Sequence, residues 1–297
     1  MSNHPDESTD HPTREVRAVK AALIELGHLL EDYKDFYAII GGAVPWLLLD
    51  GAVPQHIGTL DIDLGLDPNG FTDGKYADLV ITLKAVGYEH TPAAHKPFQL
   101  AKEVTIDGHP TIVILDLLKP SKEKTQKNKP KLIEDFRIQD IPGCRIALGN
   151  FVEHTLDGVM PYGRNNCVSI NVASIPALLV MKGFALKSRM KDKDAYDIYY
   201  CVRHFPAGVT KLAEECAELL ASDSAKEAFR NIASKFRKIE DYGSQTVKRM
   251  LENTAAVFQD MTGDQVQTDA YYQVKNLIDE IEKISPFKKR YEEKHKS

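Results

Sequence analysis

The sequence predicts an α+β protein: a mixed sheet with flanking helices, followed by a helical C-terminal domain. Two observations carry this. Before about residue 172, short β-prone runs are separated by Gly, Pro and Asn, and from Pro176 onward apolar residues recur at helical spacing over long segments. A chain of 297 residues also has the length of about two domains, at roughly 150 residues each. The boundary is placed near Val172, giving a tail at 1–13, an α/β domain at 14–172 and a helical domain at 173–297.

The elements follow in order. Residues 1–13 lack periodicity, are rich in Ser, Thr, Pro and Asp, and read as a mobile tail. Val16, Val19, Ala22, Leu23, Leu26 and Leu30 define an amphipathic helix from Arg14 to Leu30. Phe36 to Ile40 is aromatic and β-branched and reads as a strand that ends at Gly41-Gly42, where a sharp turn costs little. Pro45 suits the first turn of a helix running through Trp46 and Leu49 to Gly51. Thr59 to Leu64 alternates strictly and gives a second strand. Val104 to Ile106 and Thr111 to Leu117 flank Asp107-Gly108, a dipeptide suited to a tight hairpin, and Pro110 is expected to delay the second strand. Lys119 to Lys131 carries six lysines, one glutamate and no large apolar residue, which predicts a solvated loop. Helices are expected at 176–187, 192–202, 209–220, 226–236, 245–261 and 266–284, and FKKRYEEKHKS ends the chain as a charged tail.

Composition excludes several classes. The 43% hydrophobic and 27% charged content is that of an ordinary globular protein, and rules out collagen-like, fully disordered and disulfide-scaffold chains. A net charge of −5 gives no global attraction to nucleic acid or acidic membranes, so such a partner must meet a local patch. Cys144, Cys167, Cys201 and Cys216 form no Cys-x-x-Cys pair, which suggests a reduced, cytoplasmic chain. No apolar run reaches the ~20 residues of a membrane span, and the acidic, polar start is unlike a signal peptide.

Alternation places Asp61 and Asp63 on one face of their strand, with Leu60, Ile62 and Leu64 on the other. Two carboxylates side by side repel, and a cation or full solvation relieves the cost. Oxygen ligands at this spacing suit Mg²⁺ or Mn²⁺. The competing reading is a solvated sheet edge. The metal reading is favoured by the turn upstream, where the amides of Gly41, Gly42 and Ala43 at a helix N-terminus suit a phosphate. Other motifs fail. Gly158 to Asn165 has P-loop glycine spacing without the Lys-Ser/Thr, and ten histidines include no His-x-x-x-His pair. Tyr196, Tyr199, Tyr200, Tyr271 and Tyr272 read as helix-packing residues.

Strand, Gly-Gly, helix and then Thr59-x-Asp61-x-Asp63 on the next strand resembles the nucleotidyltransferase superfamily that includes DNA polymerase β. The resemblance implies a nucleotidyltransferase-like mixed sheet, a triphosphate held at the Gly-Gly turn, metal ions on paired aspartates and a third carboxylate on a later strand. Asp116 occupies that third place, where the alternative is a strand-end carboxylate capping a turn. In the second half, Lys182-Gly-Phe-Ala-Leu-Lys-Ser-Arg189-Met-Lys-Asp-Lys193-Asp194-Ala-Tyr-Asp197 resembles the Lys…Arg…Lys/Arg-Asp-x-x-Asp motif of the AbiEii/AbiGii family. Those are nucleotidyltransferase-like toxins of bacterial abortive-infection and toxin–antitoxin systems. The resemblance spans about residues 36–202. It implies that Lys182 contacts nucleotide phosphates, that Asp197 joins Asp61 and Asp63 in the catalytic set, and that Thr59 and Asp194 lie at the nucleotide. The structural alternative has Lys182 snorkelling from an apolar helix and Asp194 and Asp197 paired with Lys191 or Lys193. One departure stands out: many members carry an arginine two residues before the Ser or Thr of the aspartate strand, and here that position is Ile57, with His56 the nearest polar side chain.

The reaction so implied is attack by an acceptor hydroxyl on the α-phosphorus of a nucleoside triphosphate, with release of pyrophosphate and Mg²⁺ or Mn²⁺ as cofactor. Flexible lysines at 119–131, directly after the Asp116 strand, suit a phosphate backbone, although lysine loops also serve solubility alone. RNA, as the transfer RNA 3′ end, is the expected acceptor and a cognate antitoxin the expected partner, with no membrane. Two other readings stay open. One transfers a nucleotide to a small molecule such as an aminoglycoside, which wants an acidic acceptor cleft. The other binds nucleotide or RNA without catalysis.

Overall fold

The computed structural model describes residues 13–71, 73–94, 96–121, 132–133, 136–189, 191–252 and 261–287. Residues 1–12 of the tail expected at 1–13, the lysine-rich stretch 122–131, residues 253–260 of the helix expected at 245–261 and the charged end from residue 288 lie outside the described residues.

Chain order is α1 (Arg14–Leu29), β1 (Tyr37–Ile40), α2 (Val44–Leu48), β2 (Asp61–Leu66), α3 (Asp73–Ala85), β3 (Gln99–Ile106), β4 (His109–Pro120), β5 (Leu132–Ile133), β6 (Phe136–Arg137), β7 (Gln139–Ile141), α4 (Cys144–Gly149), β8 (Phe151–Val159) and β9 (Asn165–Ala173). Helices alone follow: α5 (Ile175–Ser188), α6 (Asp192–His204), α7 (Gly208–Glu218), α8 (Asp223–Lys235), α9 (Tyr242–Glu252) and α10 (Gly263–Ile284). The architecture is mixed α+β.

Seven strands form one sheet in the order β3-β4-β2-β1-β9-β8, with β7 beside the end of β4. β2 runs parallel to β4 and β1 parallel to β9, while the other neighbours along that order are antiparallel. Alternation decides what each face meets. Ile62, Leu64 and Leu66 are fully buried, and α1 packs across the sheet against β3, β4, β8 and β9. That approach is close at Gly27, where a Cβ would lie 2.7 Å from Val168 and 2.8 Å from Ile170. Asp61, Asp63 and Gly65 point to the opposite face. There α4 packs, and a Cβ on Gly65 would lie 3.3 Å from Cys144 Sγ. The carboxylates therefore stand on the α4 side of the sheet.

Several expectations shift. The Asp107-Gly108 hairpin forms with both residues at positive φ, 53° and 76°, as a tight two-residue turn requires. Pro110 does not delay β4, which begins at His109 with Pro110 opposite Thr105. β2 joins β4 only from Ile114, so no strand flanks the far side of Pro110 and its missing N–H costs no ladder bond. Lys119 is not in a loop: it is the penultimate residue of β4 and pairs with Asp140 at 3.4 Å. α2 stops at Leu48 rather than Gly51. β8 and β9 are continuous nine-residue strands where short pieces were expected, because much of β8 is solvent-facing and shows no apolar alternation. α3 and α4 had no place in the sequence reading; α4 has six residues, too few to reveal a helical period.

α5 leaves the sheet after Ala173, capped by Ser174, whose hydroxyl accepts the Ala177 N–H at 3.4 Å. Leu178, Leu179 and Val180 are all fully buried, since α5 is covered by α2, α4, α6 and α8. Among the described residues no helix is long and apolar enough to cross a membrane, and the four cysteines are free.

The contact that seats α8 on α5 is made at Gly183, where a Cβ would come within 2.4 Å of the Ala228 carbonyl oxygen. Gly183→Ala is expected to cost about 1–3 kcal/mol by forcing the helices apart. Urea denaturation should show a lower midpoint, and an unchanged midpoint would contradict the packing described.

Candidate active site

β2 is entered from a loop, not from Thr59 as the alternation suggested. Thr59 precedes the strand and its Oγ1 accepts the Asp61 N–H at 3.1 Å. Leu60, assigned to the buried face by sequence, is instead 41% exposed. Asp61 is exposed at the strand's start and Asp63 is half-buried. The parallel pairing with β4 sets Asp116 in register with Asp63, and the antiparallel pairing with β3 sets Gln99 opposite Asp116. Gln99 Nε2 then donates to Asp116 Oδ1 at 2.8 Å, while Gln99 Oε1 accepts the Lys96 N–H at 3.3 Å. Both ends of the amide are thus fixed.

Asp116 is buried. Burial first, and the neighbouring Asp63 charge second, push its carboxyl up to about 7 against the pull of the Gln99 hydrogen bond. Burial also raises Asp63, with Lys182 opposing and Asp61 adding to the shift. Adjacent carboxylates that resist ionisation mark a place where a cation is favoured.

Gly41 follows β1 at φ +73°, and a Cβ there would lie 1.8 Å from Asp63 Oδ2. Only glycine lets the turn approach the carboxylate this closely. At Gly42 a Cβ would lie 3.0 Å from Lys193 Nζ and 3.6 Å from the Thr59 Cβ. Lys193 Nζ donates to the Gly58 carbonyl at 2.6 Å, so its ammonium occupies the corner between the Gly-Gly turn and the approach to β2. Burial lowers its pKa, and Asp197 opposes that shift most strongly. Ala43 closes the turn and is buried, and α2 beyond it has only five residues. A phosphate at this turn would therefore meet backbone amides and Lys193 more than a long helix dipole.

Behind this row lies a buried charge network. Lys182 Nζ is 2.8 Å from Asp194 Oδ1 and 2.6 Å from Asp197 Oδ2. Arg189 forks onto Asp194 at 2.9 and 2.8 Å. His56 Nε2 lies 3.0 Å from Asp197 Oδ1, and His56 Nδ1 accepts the Gly58 N–H at 3.1 Å. Because Nδ1 accepts, the proton sits on Nε2 and the imidazole is neutral with both nitrogens satisfied. Burial keeps the His56 pKa low. Burial alone would lower Lys182, but Asp197 and Asp194 outweigh it and raise it. Burial alone would raise Asp197, but Lys182 and the His56 hydrogen bond hold it well below the carboxylate range. Asp194 and Asp197 thus pair with Lys182, not with Lys191 or Lys193.

Gly41, Asp63, Asp116, Lys182, Phe98 and Arg189 are among the walls of one cleft of about 250 Å³. Asp194 and Asp197 stand behind it, holding Lys182. Ile57 is half-buried against the core, and the cation nearest the turn is Lys193 instead. Sequence reasoning named His56 only as the polar side chain nearest the missing arginine and Lys193 only as an alternative partner for Asp194 or Asp197, and did not name Gln99. The signal for Lys193 was its place directly before Asp194 in the Lys/Arg-Asp-x-x-Asp motif. For Gln99 there was none, since its place depends on strand register. Tyr196 stacks on His56 with ring centres 5.1 Å apart, Tyr200 meets it edge-on at 4.8 Å, and Tyr199 donates to Asp269 at 2.6 Å. Tyr271 and Tyr272 lie on α10, and Gly158 to Asn165 spans the end of β8, the β8–β9 turn and the first residue of β9.

No family model matches the chain, and no curated protein matches its sequence. A crystal structure of an antigenic nucleotidyltransferase-like protein from Paracoccidioides brasiliensis superposes with a TM-score of 0.43 at 17% identity, covering 78% of this chain and 92% of that one.

Removing one partner from a buried ion pair leaves the other uncompensated, so Asp197→Asn is expected to cost about 3 kcal/mol. The pH dependence has a defined sign. Asp197 is depressed in the fold, so its contribution is present above the unfolded carboxylate pKa of about 4 and fades as pH falls below it. His56 is also depressed, so stability begins to fall below about pH 6.5, where the unfolded histidine takes up a proton. Urea titrations across this range should show the wild type losing stability in acid and Asp197→Asn losing less; parallel curves would contradict the network.

Proposed function

We propose that the protein is a metal-dependent nucleotidyltransferase that moves a nucleoside monophosphate from a triphosphate to a hydroxyl on RNA, acting as the toxin of a toxin–antitoxin or abortive-infection system. One observation carries the chemistry: Asp63 and Asp116 in register on parallel neighbours, with Asp61 at the strand's start and side-chain-free Gly41 against Asp63. The RNA acceptor and the toxin role rest on the motif resemblance.

The residues fit Mg²⁺ or Mn²⁺. Every donor is a carboxylate oxygen, and Asp63 and Asp116 both carry raised pKa values that a cation would relieve. Among the described residues no three acidic, His or Cys side chains form a ready-made cage. An open row suits Mg²⁺, which takes one or two carboxylates and completes its octahedron with water and substrate phosphates. Asp61, Asp63 and Asp116 would hold the ion, which supplies charge neutralisation at the phosphates and acidifies the attacking hydroxyl.

The chain's own residues do the rest. Gln99 fixes the rotamer of Asp116. Gly41 and Gly42 let the triphosphate reach the backbone of the turn, and Lys193 faces it with a positive charge. Lys182, kept protonated by Asp194 and Asp197, lines the cleft with its charge balanced by those two carboxylates. Phe98 and Phe184 offer half-buried aromatic faces for a base.

The test is incubation with Mg²⁺, each α-labelled nucleoside triphosphate and total RNA. The wild type should label RNA from one nucleotide, Asp63→Asn should fall by at least about 10³-fold, and Lys193→Met should raise the KM for nucleotide about tenfold. Labelling by Asp63→Asn at the wild-type rate would overturn the reading. Mg²⁺-dependent nucleotide binding without transfer would favour a binding protein.

A further inference from the structure

Three cavities are joined by shared walls. The carboxylate cleft shares Ile141, Pro142 and Phe184 with a second cavity of about 520 Å³, bounded by the end of β4, the β7–α4 turn and the start of α8. The second shares Arg230 with a third of about 740 Å³ between α5, α8 and α10. The path becomes more basic with distance from the carboxylates. Arg145 and Arg230 line the second cavity, and Lys187, Arg230, Lys235, Arg237 and Lys275 line the third, against Asp279 alone. This is notable in a chain with a net charge of −5.

The acids along the path are already engaged. Glu227 lies 2.9 Å from Lys187, Asp223 3.7 Å from Lys226 and Asp241 3.3 Å from Arg237, and Asp279 pairs with Lys275, so Lys187, Arg237 and Lys275 are balanced in part by these acids and the excess charge rests on Arg145 and Arg230. Arg230 donates to the Phe287 carbonyl at 3.0 Å, a neutral acceptor that leaves its charge uncompensated. Arg145 is exposed and makes no ion pair among the described residues.

We propose that this path is the track of a single-stranded nucleic acid, with phosphates running from Lys235 and Arg237 past Arg230 and Arg145 toward the cleft. That its terminal hydroxyl is the acceptor rests on the nucleotidyltransferase reading; that the strand binds here does not. Cations spaced along a concave wall neutralise backbone phosphates and release counterions. Phe184, half-buried where the first two cavities meet, supplies a face on which a base stacks.

The test is fluorescence anisotropy of labelled twelve-nucleotide RNA and DNA strands and of a labelled polyglutamate peptide, with full-length protein. The triple variant Arg145→Glu, Lys235→Glu, Arg237→Glu should bind the strands at least about tenfold more weakly, with a salt slope shallower by about 0.7 for each phosphate no longer neutralised. Lys211→Glu, on α7 outside the three cavities, should bind as wild type, and thermal melting should show both variants folded. RNA bound more tightly than DNA identifies the natural strand as RNA, and equal binding assigns the track to either. Unchanged affinity in the triple variant, no binding of either strand by wild type, or loss confined to polyglutamate would overturn the proposal, the last assigning the track to an acidic protein segment. In label transfer the triple variant should show a KM for RNA raised about tenfold, with the KM for nucleotide unchanged. A wild type that binds RNA through these residues yet transfers no label would defeat the nucleotidyltransferase reading and leave the track intact.

Discussion

A lysine ammonium in a protein interior must be paired, and the pairing of Lys182 with Asp194 and Asp197 is the constraint on which the rest of the site depends. The two carboxylates come from α6, the lysine from α5, and His56 brings in the loop that leads to β2. One network therefore ties three separate segments together behind the acidic row. Its geometry fixes where β2 begins, because Gly58 both donates to His56 and accepts from Lys193. Loss of Lys182 charge would leave two buried carboxylates facing each other, so the network is also what keeps α6 seated.

The electrostatic consequence reaches the cleft. Asp61, Asp63 and Asp116 gather negative charge on one face of the sheet, and Lys182, Arg189 and Lys193 gather positive charge beside it. Neither group neutralises the other outright: Lys182 and Arg189 are committed to Asp194, and Lys193 to a backbone carbonyl. Such separated, pre-oriented charge suits a ligand that carries its own cation and its own phosphates. Burial strengthens the contribution of Asp116 and Lys182 by excluding water.

Much of this was legible in the sequence. The two-residue period placed Asp61 and Asp63 on one face, Gly41-Gly42 marked a turn, and Asp107-Gly108 marked the hairpin that carries Asp116 back beside Asp63. What sequence could not supply was register and partner choice. Gln99 faces Asp116 only because β3 pairs with β4 at that offset, and nothing local to Gln99 signals it. Lys182 looked like a phosphate ligand and Lys193 like a partner for Asp194 or Asp197; in the fold Lys182 takes those carboxylates and Lys193 goes to the glycine turn. Strand limits were also missed where burial, not alternation, decides: Thr59 and Leu60 continue the pattern of β2 but precede the strand, although the Leu60 carbonyl still accepts the Ile114 N–H.

The central claim is that the acidic row and the glycine turn form one site. Anomalous diffraction from crystals grown with Mn²⁺ and a non-hydrolysable nucleoside triphosphate tests it most directly. The account expects manganese against Asp61, Asp63 and Asp116, with the phosphates on Gly41 and Gly42 beside Lys193. Manganese absent from these carboxylates while the nucleotide is ordered elsewhere would contradict it.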